Sequence, residues 1–418
     1  MFGKKKPEVL VVGAGPVGLF TAIALAKKGV QVAVIDKEWR PTAHSYALAL
    51  HAHSLKLFES LELLPPILRK GYRVRKINLY DGEQPKAEIR ISDLEEDFSF
   101  LAVLRQDELE SFLIEALEKL GVKVQWNHQL AHLRPQNGAV HVTVQKLDKV
   151  SLGYAVAHTE WEVAKTYEYE VPFVVGADGH RSFVRRALDI DYQQLGMPLH
   201  FAVFEFKTDY DPGDEMHLVF HEDTQNVLWP LPLQFCRWSF QLLDYEAPES
   251  SRDKDRFGIQ IGSARFPVLD EAHLHQFITE RAPWFRGKIR DIIWRIVVRF
   301  EKRLVDRFGR GRVWLVGDAA HMTYPVGIQS MNVGFREGYE LAAIIADALQ
   351  GRDVTGAFDA FNRKWLEEWA FLMGEKGRPR PAAQADPFIR SIGDKMVSSL
   401  PASGEDLRRL ARMLQLQV

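Results

Sequence analysis

The segment from Val9 to Gly18 constrains the fold of this chain more than any other. It places glycines at positions 13, 15 and 18 directly after a run of β-branched residues. Gly-x-Gly-x-x-Gly at the join of a strand and a helix allows a tight turn, close approach of the backbone to a pyrophosphate, and tight helix–strand packing. The helix N-terminus then presents free N–H groups to the phosphates. The segment therefore predicts a dinucleotide-binding βαβ unit.

A carboxylate follows the second strand of this unit. Gln31 to Ile35 has the composition of that strand, and Asp36 closes it. An acidic side chain at this place accepts hydrogen bonds from ribose hydroxyls. The motif predicts a bound ADP moiety, but it is equally typical of NAD and of FAD. A nicotinamide dehydrogenase therefore remains open at this point.

A second candidate strand ends at Asp178-Gly179 and leads into a helix with several arginines, among them Arg181 and Arg185. Alone, Asp-Gly is an ordinary turn and the arginines are a solvated helix face.

A third candidate strand, Val313 to Val316, ends at Gly317-Asp318. The chain continues through His321 and Pro325 to a glycine-bearing loop and a long helix. Asp318 is placed to accept from a ribityl hydroxyl, although an N-capping aspartate would explain it equally well.

Taken together, these three segments resemble the flavoprotein monooxygenases of the para-hydroxybenzoate hydroxylase type. That family carries Gly-x-Gly-x-x-Gly near the N-terminus, Asp-Gly in mid-chain, and Gly-Asp-Ala-Ala-His-x-x-x-Pro in the last third. All three are present here in that order, and the resemblance covers roughly residues 8–350. It implies an α/β fold in which a Rossmann-like FAD-binding domain is interrupted by an antiparallel β-sheet substrate lobe and followed by C-terminal helices.

The expected domain boundaries follow from this architecture. The FAD-binding domain is discontinuous and comprises 1–80, 100–185 and 290–350. The substrate lobe comprises 81–99 and 186–289, and a C-terminal helical segment spans 351–418.

The resemblance also implies a cofactor site. The first motif and Asp36 hold the ADP end of FAD, and Arg105 lies near the middle of the cofactor. Asp318 lies at the ribityl chain, and the loop after Pro325 lies beside the isoalloxazine. The Asp178 stretch is linked to both FAD and NAD(P)H. The expected cofactor-binding residues are Gly13, Ala14, Gly15, Pro16, Val17, Gly18, Asp36, Lys37, Arg105, Asp178, Arg181, Gly317, Asp318, Pro325, Gly327, Met331 and Asn332.

Several positions depart from the family pattern. Tyr46 and His53 stand where arginines are usual, Ser330 stands where glycine is common, and Glu337-Gly338 replaces Asp-Ala. FAD binding tolerates these changes. They bear instead on how efficiently a nicotinamide cofactor reduces the flavin and on which nicotinamide cofactor is preferred.

The implied reaction is hydroxylation of an aromatic, polyketide-like or quinone-type small molecule through a C4a-hydroperoxyflavin. NADPH or NADH is the transient reductant and O₂ the oxidant. A flavin-dependent halogenase or a prenyl-chain reductase on the same fold remains an alternative. So do a nicotinamide dehydrogenase and a non-catalytic flavin-binding protein.

The substrate would lie between the flavin and the antiparallel lobe. Aromatic candidates there are Phe204, Trp229, Phe235 and Trp238, although a buried sheet face explains such residues equally well. His217 and His221 are weak candidates for a general base. We assign no catalytic residue.

Composition limits the other classes of function. The chain has 54 basic and 56 acidic residues, and this balance indicates no nucleic-acid partner. A single cysteine, Cys236, excludes an internal disulfide framework and favours a reducing, cytoplasmic setting. The histidines at 44, 51 and 53 lack a carboxylate or thiolate partner, so no metal site is expected.

Two segments could suggest a membrane. Lys4–Lys6 and the apolar run after them mimic a signal peptide, but glycines interrupt the run, and no stretch is long enough to span a bilayer. The stretch Glu405 to Leu416 is amphipathic, which is typical of a docking helix and also compatible with peripheral membrane contact. Nothing in the sequence indicates the oligomeric state.

Overall fold

The computed structural model describes residues 6–40, 49–93, 97–136, 138–152, 158–243, 259–261, 264–266, 269–377 and 379–417. Tyr46, one of the departures from the family pattern, lies outside the described residues, as does His44.

A six-stranded sheet, here called the nucleotide sheet, forms the first layer. Its strands are, in order across the sheet, Gly309–Arg310, Val313–Leu315, Phe173–Gly176, Val9–Val12, Val32–Ile35 and Val124–Gln125. All neighbours pair in parallel except the first two. Its central strands are continuous apolar runs because a parallel sheet is covered on both faces.

Three helices pack around this sheet. They are Pro16–Lys27, Gln106–Lys119 and Gln329–Leu349. The first contacts both of the others. The helix Pro16–Lys27 starts directly after the glycine turn with proline in its first turn, where the missing N–H costs nothing.

The helices Pro16–Lys27 and Gln329–Leu349 approach each other closely through glycines. A Cβ at Gly334 would lie 2.8 Å from Val17 Cγ2, and a Cβ at Gly338 would lie 2.1 Å from Thr21 Oγ1. Larger residues at these two positions would therefore push the helices apart.

A seven-stranded sheet, here called the large sheet, forms the second layer. Its strands are, in order, Ile289–Phe300, Leu199–Thr208, Phe235–Leu242, Thr224–Leu231, Glu215–His221, Lys76–Asp81 and Gln84–Arg90. Only Glu215–His221 and Lys76–Asp81 pair in parallel. Both Lys76–Asp81 and Ile289–Phe300 belong to this sheet, so the lobe extends beyond the expected boundaries at 81 and 290.

The alternation of side chains gives the central strands of the large sheet two buried faces. Phe204 and Trp238 lie on the face beneath the helix Glu271–Arg281. Trp229 lies on the opposite face, within the core shared with the nucleotide sheet, and half-buried Phe235 packs against that core. Of the four aromatic candidates for substrate contact, only Trp229 and Phe235 therefore lie on the side of the nucleotide sheet.

The remaining elements connect and cover these two layers. A three-stranded antiparallel sheet comprises His128–Gln136, Ala139–Leu152 and His158–Val171, and there are two further small sheets of short strands in the described residues. The small sheets are Ala49–Leu50, Leu101–Val103 and Tyr72–Val74, and Tyr192–Gln194, Arg303–Val305 and His321–Met322. Two-stranded pairs are Ile259–Ile261 with Ala264–Phe266 and Arg380–Pro381 with Leu416–Gln417. Shorter helices are Ala52–Ser60, Leu64–Lys70 and Phe183–Ala187.

The C-terminal part is helical, as expected. Its helices are Ala357–Leu372, Pro387–Ser399 and Gly404–Met413. The amphipathic helix Gly404–Met413 buries Leu407, Leu410 and Ala411 against the rest of the protein. None of the helices in the described residues is long and apolar enough to cross a membrane.

Replacing Gly338 by alanine is expected to destabilise the fold. The new methyl group overlaps Thr21 Oγ1, which is held by its 2.7 Å hydrogen bond to Val17 O. Overpacking costs about 1–3 kcal/mol, against about 1 kcal/mol gained in helix propensity. Chemical denaturation of the two proteins measures the net loss. In a Thr21→Ala background the same substitution should cost less, because the nearest remaining atom is then Thr21 Cβ at 3.3 Å. An equal loss in both backgrounds would contradict this explanation.

Candidate cofactor site

The first glycine turn has the geometry that its sequence predicts. Gly13 has a φ of +108°, and a Cβ there would lie 2.2 Å from Ala177 O. A Cβ at Gly18 would lie 2.1 Å from Gly13 O. At Gly15, by contrast, no heavy atom lies within 4 Å of the Cβ position. The turn is therefore tightly packed inside the protein and open above Gly15, where a pyrophosphate fits at the helix N-terminus.

Asp36 is fixed beside this turn. Its Oδ2 accepts from Ala14 N at 2.7 Å, and its Oδ1 accepts from Glu38 N at 2.8 Å. Lys37 is exposed next to it. The carboxylate thus lies at the carboxyl end of its strand, and its remaining lone pairs are available to a ribose.

Asp178 caps the short helix that follows the second motif. Its Oδ1 accepts from Ser182 Oγ at 2.5 Å, and its Oδ2 accepts from Phe183 N at 2.7 Å. Burial raises the pKa of Asp178, while these hydrogen bonds oppose the rise. Arg181 is exposed. The capping role explains Asp178 from local structure, and a contact with the cofactor stays a prediction.

Arg185 joins the second motif to the third. Its Nη1 donates to Ala319 O at 2.9 Å, and its guanidinium lies 3.8 Å from the centre of the Tyr192 ring. The Tyr192 hydroxyl in turn donates to Asp318 O at 3.1 Å. Arg185 was not among the expected cofactor-binding residues, because the resemblance implied Arg181 instead.

The third motif lies directly against the first. Gly317 has a φ of +62°, and a Cβ there would lie 3.2 Å from the side chain of Val17. Gly317 is buried, whereas Asp318 is exposed at the end of the strand Val313–Leu315. The predicted residues at 13–18 and 317–318 are therefore brought together.

A buried carboxylate holds the third motif in place. Glu337 is fully buried and accepts hydrogen bonds from Gly317 N at 3.0 Å and from Trp369 Nε1 at 2.6 Å. His321 Nε2 lies 2.9 Å from the same carboxylate, and its ring stacks on Trp369 with centroids 3.8 Å apart. The sequence marked Glu337 only as a departure from the family pattern.

Ser330 connects this network to Asp318. Its Oγ donates to Asp318 Oδ1 at 2.7 Å and lies 3.3 Å from His321 Nδ1. Asp318, Ser330, His321 and Glu337 thus form a continuous chain of polar contacts from the surface to the core.

The loop that follows Pro325 and the first turn of the helix Gln329–Leu349 are anchored by the C-terminal segment. Gly327 N donates to Ser398 O at 3.2 Å, and a Cβ on Gly327 would lie 2.7 Å from that oxygen. Gln329 Nε2 donates to Val397 O at 2.6 Å. Met331, in the first turn of this helix, is buried.

Asn332 ties the same loop to the segment around His51. Its Oδ1 accepts from His51 N at 2.8 Å and from Ser54 Oγ at 2.7 Å. His51 Nε2 lies 3.0 Å from Gly327 O, and burial lowers the pKa of His51 to about 3. The neutral ring therefore donates from Nε2 to that carbonyl. Both side chains fix the shape of the loop.

Arg105 contacts the large sheet. Its Nε donates to Glu205 Oε1 at 2.7 Å, while Arg237 Nη2 donates to the other oxygen, Oε2, at 2.6 Å. Burial lowers the pKa of Arg237, and Glu205 opposes that shift. The expected contact of Arg105 with the cofactor stays a prediction.

The two candidate bases lie on the side of the large sheet that carries the helix Glu271–Arg281. The His217 ring packs 4.9 Å from that of Trp284, and burial lowers the pKa of His217 to about 4. His221 lines a groove of about 470 Å³ with Phe277. Because this face points away from the nucleotide sheet, we give neither histidine a catalytic role.

Known proteins share this sequence pattern and fold. A family described as "FAD binding domain" matches residues 6–367. The chain is 28% identical over 356 residues to 6-methylpretetramide 4-monooxygenase of Streptomyces rimosus. This alignment covers 82% of this chain and 56% of that protein. It is 26% identical over 419 residues to aklavinone 12-hydroxylase RdmE of Streptomyces purpurascens, covering 93% and 71%.

Among solved structures, p-nitrophenol 4-monooxygenase PnpA from Pseudomonas putida DLL-E4 superposes with a TM-score of 0.70 at 20% identity, covering 98% of this chain and 96% of that one. At this identity the match concerns the fold.

The fold and the joined glycine motifs define a protein that binds a dinucleotide cofactor at the carboxyl edge of a parallel sheet. The chain belongs to the FAD binding domain family, and the resemblance to FAD-dependent monooxygenases of the para-hydroxybenzoate hydroxylase type is confirmed. FAD is the cofactor.

Alanine at Gly15 is expected to weaken FAD binding without disturbing the fold. A Cβ there meets only open space in the protein, whereas it would occupy the surface that a pyrophosphate approaches. Apoprotein titration should show FAD binding weakened at least about tenfold, and the melting temperature should stay within about a degree, since surface substitutions cost little.

Gly13→Ala is the matched comparison. There the methyl group collides with Ala177 O and the positive φ is strained, so the apoprotein itself should melt at a lower temperature. Equal stability of the two variants would show that the turn is not built as described.

Proposed function

We propose that the chain is an FAD-dependent monooxygenase that hydroxylates an aromatic, polyketide-like or quinone-type small molecule, with NADPH or NADH as reductant and O₂ as oxidant. The observation that carries the proposal is the contact of the first and third motifs through Val17 in the fold of this family. The two relatives named above are a monooxygenase and a hydroxylase.

The chain's own residues bind and orient the cofactor in this proposal. The turn Gly13–Gly18 and Asp36 hold the ADP end, Asp318 accepts from a ribityl hydroxyl, and the loop from Gly327 to Met331 borders the ring system. When bound, FAD supplies the redox and oxygen-activating chemistry. The C-terminal segment keeps water away from the ring system of FAD, because its carbonyl oxygens hold Gln329 and Gly327 in place through hydrogen bonds.

The substrate lies, in this proposal, between that loop and the face of the large sheet that points toward the nucleotide sheet. Trp229 and Phe235 supply apolar surface there. The Arg105–Glu205–Arg237 cluster supplies polar groups at the same face, and the Arg105 guanidinium lies 5.0 Å from the centre of the Phe235 ring. An apolar wall with a few polar groups suits a conjugated ring that carries oxygen substituents.

A nicotinamide dehydrogenase is the less favoured alternative. Such an enzyme would use the first motif alone, and the packing of Gly317 and Gly334 against Val17 would then not contribute to cofactor binding. We place the enzyme in the cytoplasm, in keeping with its single, buried cysteine, Cys236.

A flavin assay tests the proposal. We expect the purified protein to show two visible flavin bands and to release a compound with the mass of FAD. Selected aromatic compounds should accelerate NADPH or NADH oxidation, and one atom of isotopically labelled O₂ should enter the product. Gly15→Ala serves as the matched control, because its weaker FAD binding should lower both the flavin retained on purification and the stimulated oxidation at limiting FAD.

A protein that is colourless and fails to take up added FAD would overturn the cofactor assignment. FAD binding without incorporation of oxygen into any aromatic compound would instead favour a non-catalytic flavoprotein.

A further inference from the structure

We propose that Ser330 is a positioning residue that holds the Asp318 carboxylate in the orientation needed to accept a ribityl hydroxyl of FAD. The inference rests on the proposed placement of FAD and concerns a residue that stands where the family commonly has glycine. The backbone therefore does not require a side chain at this position, and the hydroxyl is an addition to the site.

Asp318 needs such a partner because its side chain is exposed. An exposed carboxylate samples several rotamers and loses that freedom when it binds a ligand. The Ser330 hydroxyl occupies Oδ1 at 2.7 Å, which leaves Oδ2 to a second donor. The Tyr192 hydroxyl holds the Asp318 backbone carbonyl from another direction. Main chain and side chain are thus fixed before the cofactor arrives.

The buried part of the network holds the imidazole ring that lies next to Ser330. Glu337 accepts from Gly317 N and Trp369 Nε1, and its carboxylate takes His321 Nε2–H as a third donor. This contact fixes the imidazole ring, which places Nδ1 3.3 Å from Ser330 Oγ.

A serine hydroxyl has one proton to donate. The Asp318 contact is 2.7 Å and the His321 contact is 3.3 Å, so the proton belongs to the shorter contact, with the anionic carboxylate. The 3.3 Å contact with His321 then carries no hydrogen bond, and Ser330 acts on the cofactor only through Asp318.

The test measures FAD affinity rather than turnover. Apoprotein of the wild type, Ser330→Ala and Ser330→Thr is titrated with FAD by flavin fluorescence, and the melting temperature of each apoprotein is recorded. Ser330→Ala should weaken FAD binding about fivefold, the size expected for one hydrogen bond to a charged group that is partly solvated. Ser330→Thr keeps the hydroxyl and should restore most of the affinity.

Two controls separate positioning from a general effect. Competition with ADP, which lacks the ribityl chain, should give the same affinity in the wild type and Ser330→Ala. Ser391→Ala removes a helix hydroxyl that bonds only to Phe388 O among the contacts described, and it should leave FAD affinity unchanged.

A double-mutant cycle decides whether Ser330 acts through Asp318. In an Asp318→Ala background, adding Ser330→Ala should cause no further loss. A further fivefold loss in that background, or wild-type affinity in Ser330→Ala alone, would overturn the inference while leaving the proposed function intact. If the wild type itself binds no FAD, the inference and the proposed function both fail.

Discussion

The close contact between the helices Pro16–Lys27 and Gln329–Leu349 is the constraint on which the rest of the site depends. Gly334 and Gly338 remove the side chains that would keep the helices apart, so Val17 reaches Gly317. The strands that precede the two glycine turns both border Phe173–Gly176. Because carboxyl ends of parallel strands meet at one edge, turns from opposite ends of the chain become one site.

Glu337 makes that arrangement dependent on the C-terminal segment. A buried carboxylate is costly unless its oxygens are hydrogen-bonded. Its partners come from the third motif, through Gly317 and His321, and from a C-terminal helix, through Trp369. The C-terminal helices therefore help to shape the cofactor site. Gln329 depends on them in the same way, because its side chain donates to a carbonyl oxygen of the C-terminal segment.

The sequence predicted the substrate lobe less completely than the nucleotide domain. Both faces of the large sheet are buried, so composition could not separate Trp229, which faces the nucleotide sheet, from Phe204 and Trp238, which face the helix Glu271–Arg281. The pairing of Arg105 with Glu205 joins residues 100 positions apart. No local pattern indicates such a pair, because nothing near either residue in the sequence requires it.

The sequence by itself determined the class of fold and the three motifs, because the demands of a glycine turn are local. The FAD cofactor followed from the resemblance that the three motifs carry together. Gly13 needs a positive φ and the space beside Ala177, and any chain that forms this turn must meet both. Only the tertiary structure decided which side chains join the motifs. Arg185 reaches Ala319 across 134 positions, and Ser330 meets both Asp318 and His321. These partners are neighbours only after the parallel strands have aligned their carboxyl ends, and that alignment depends on packing between helices distant in the chain.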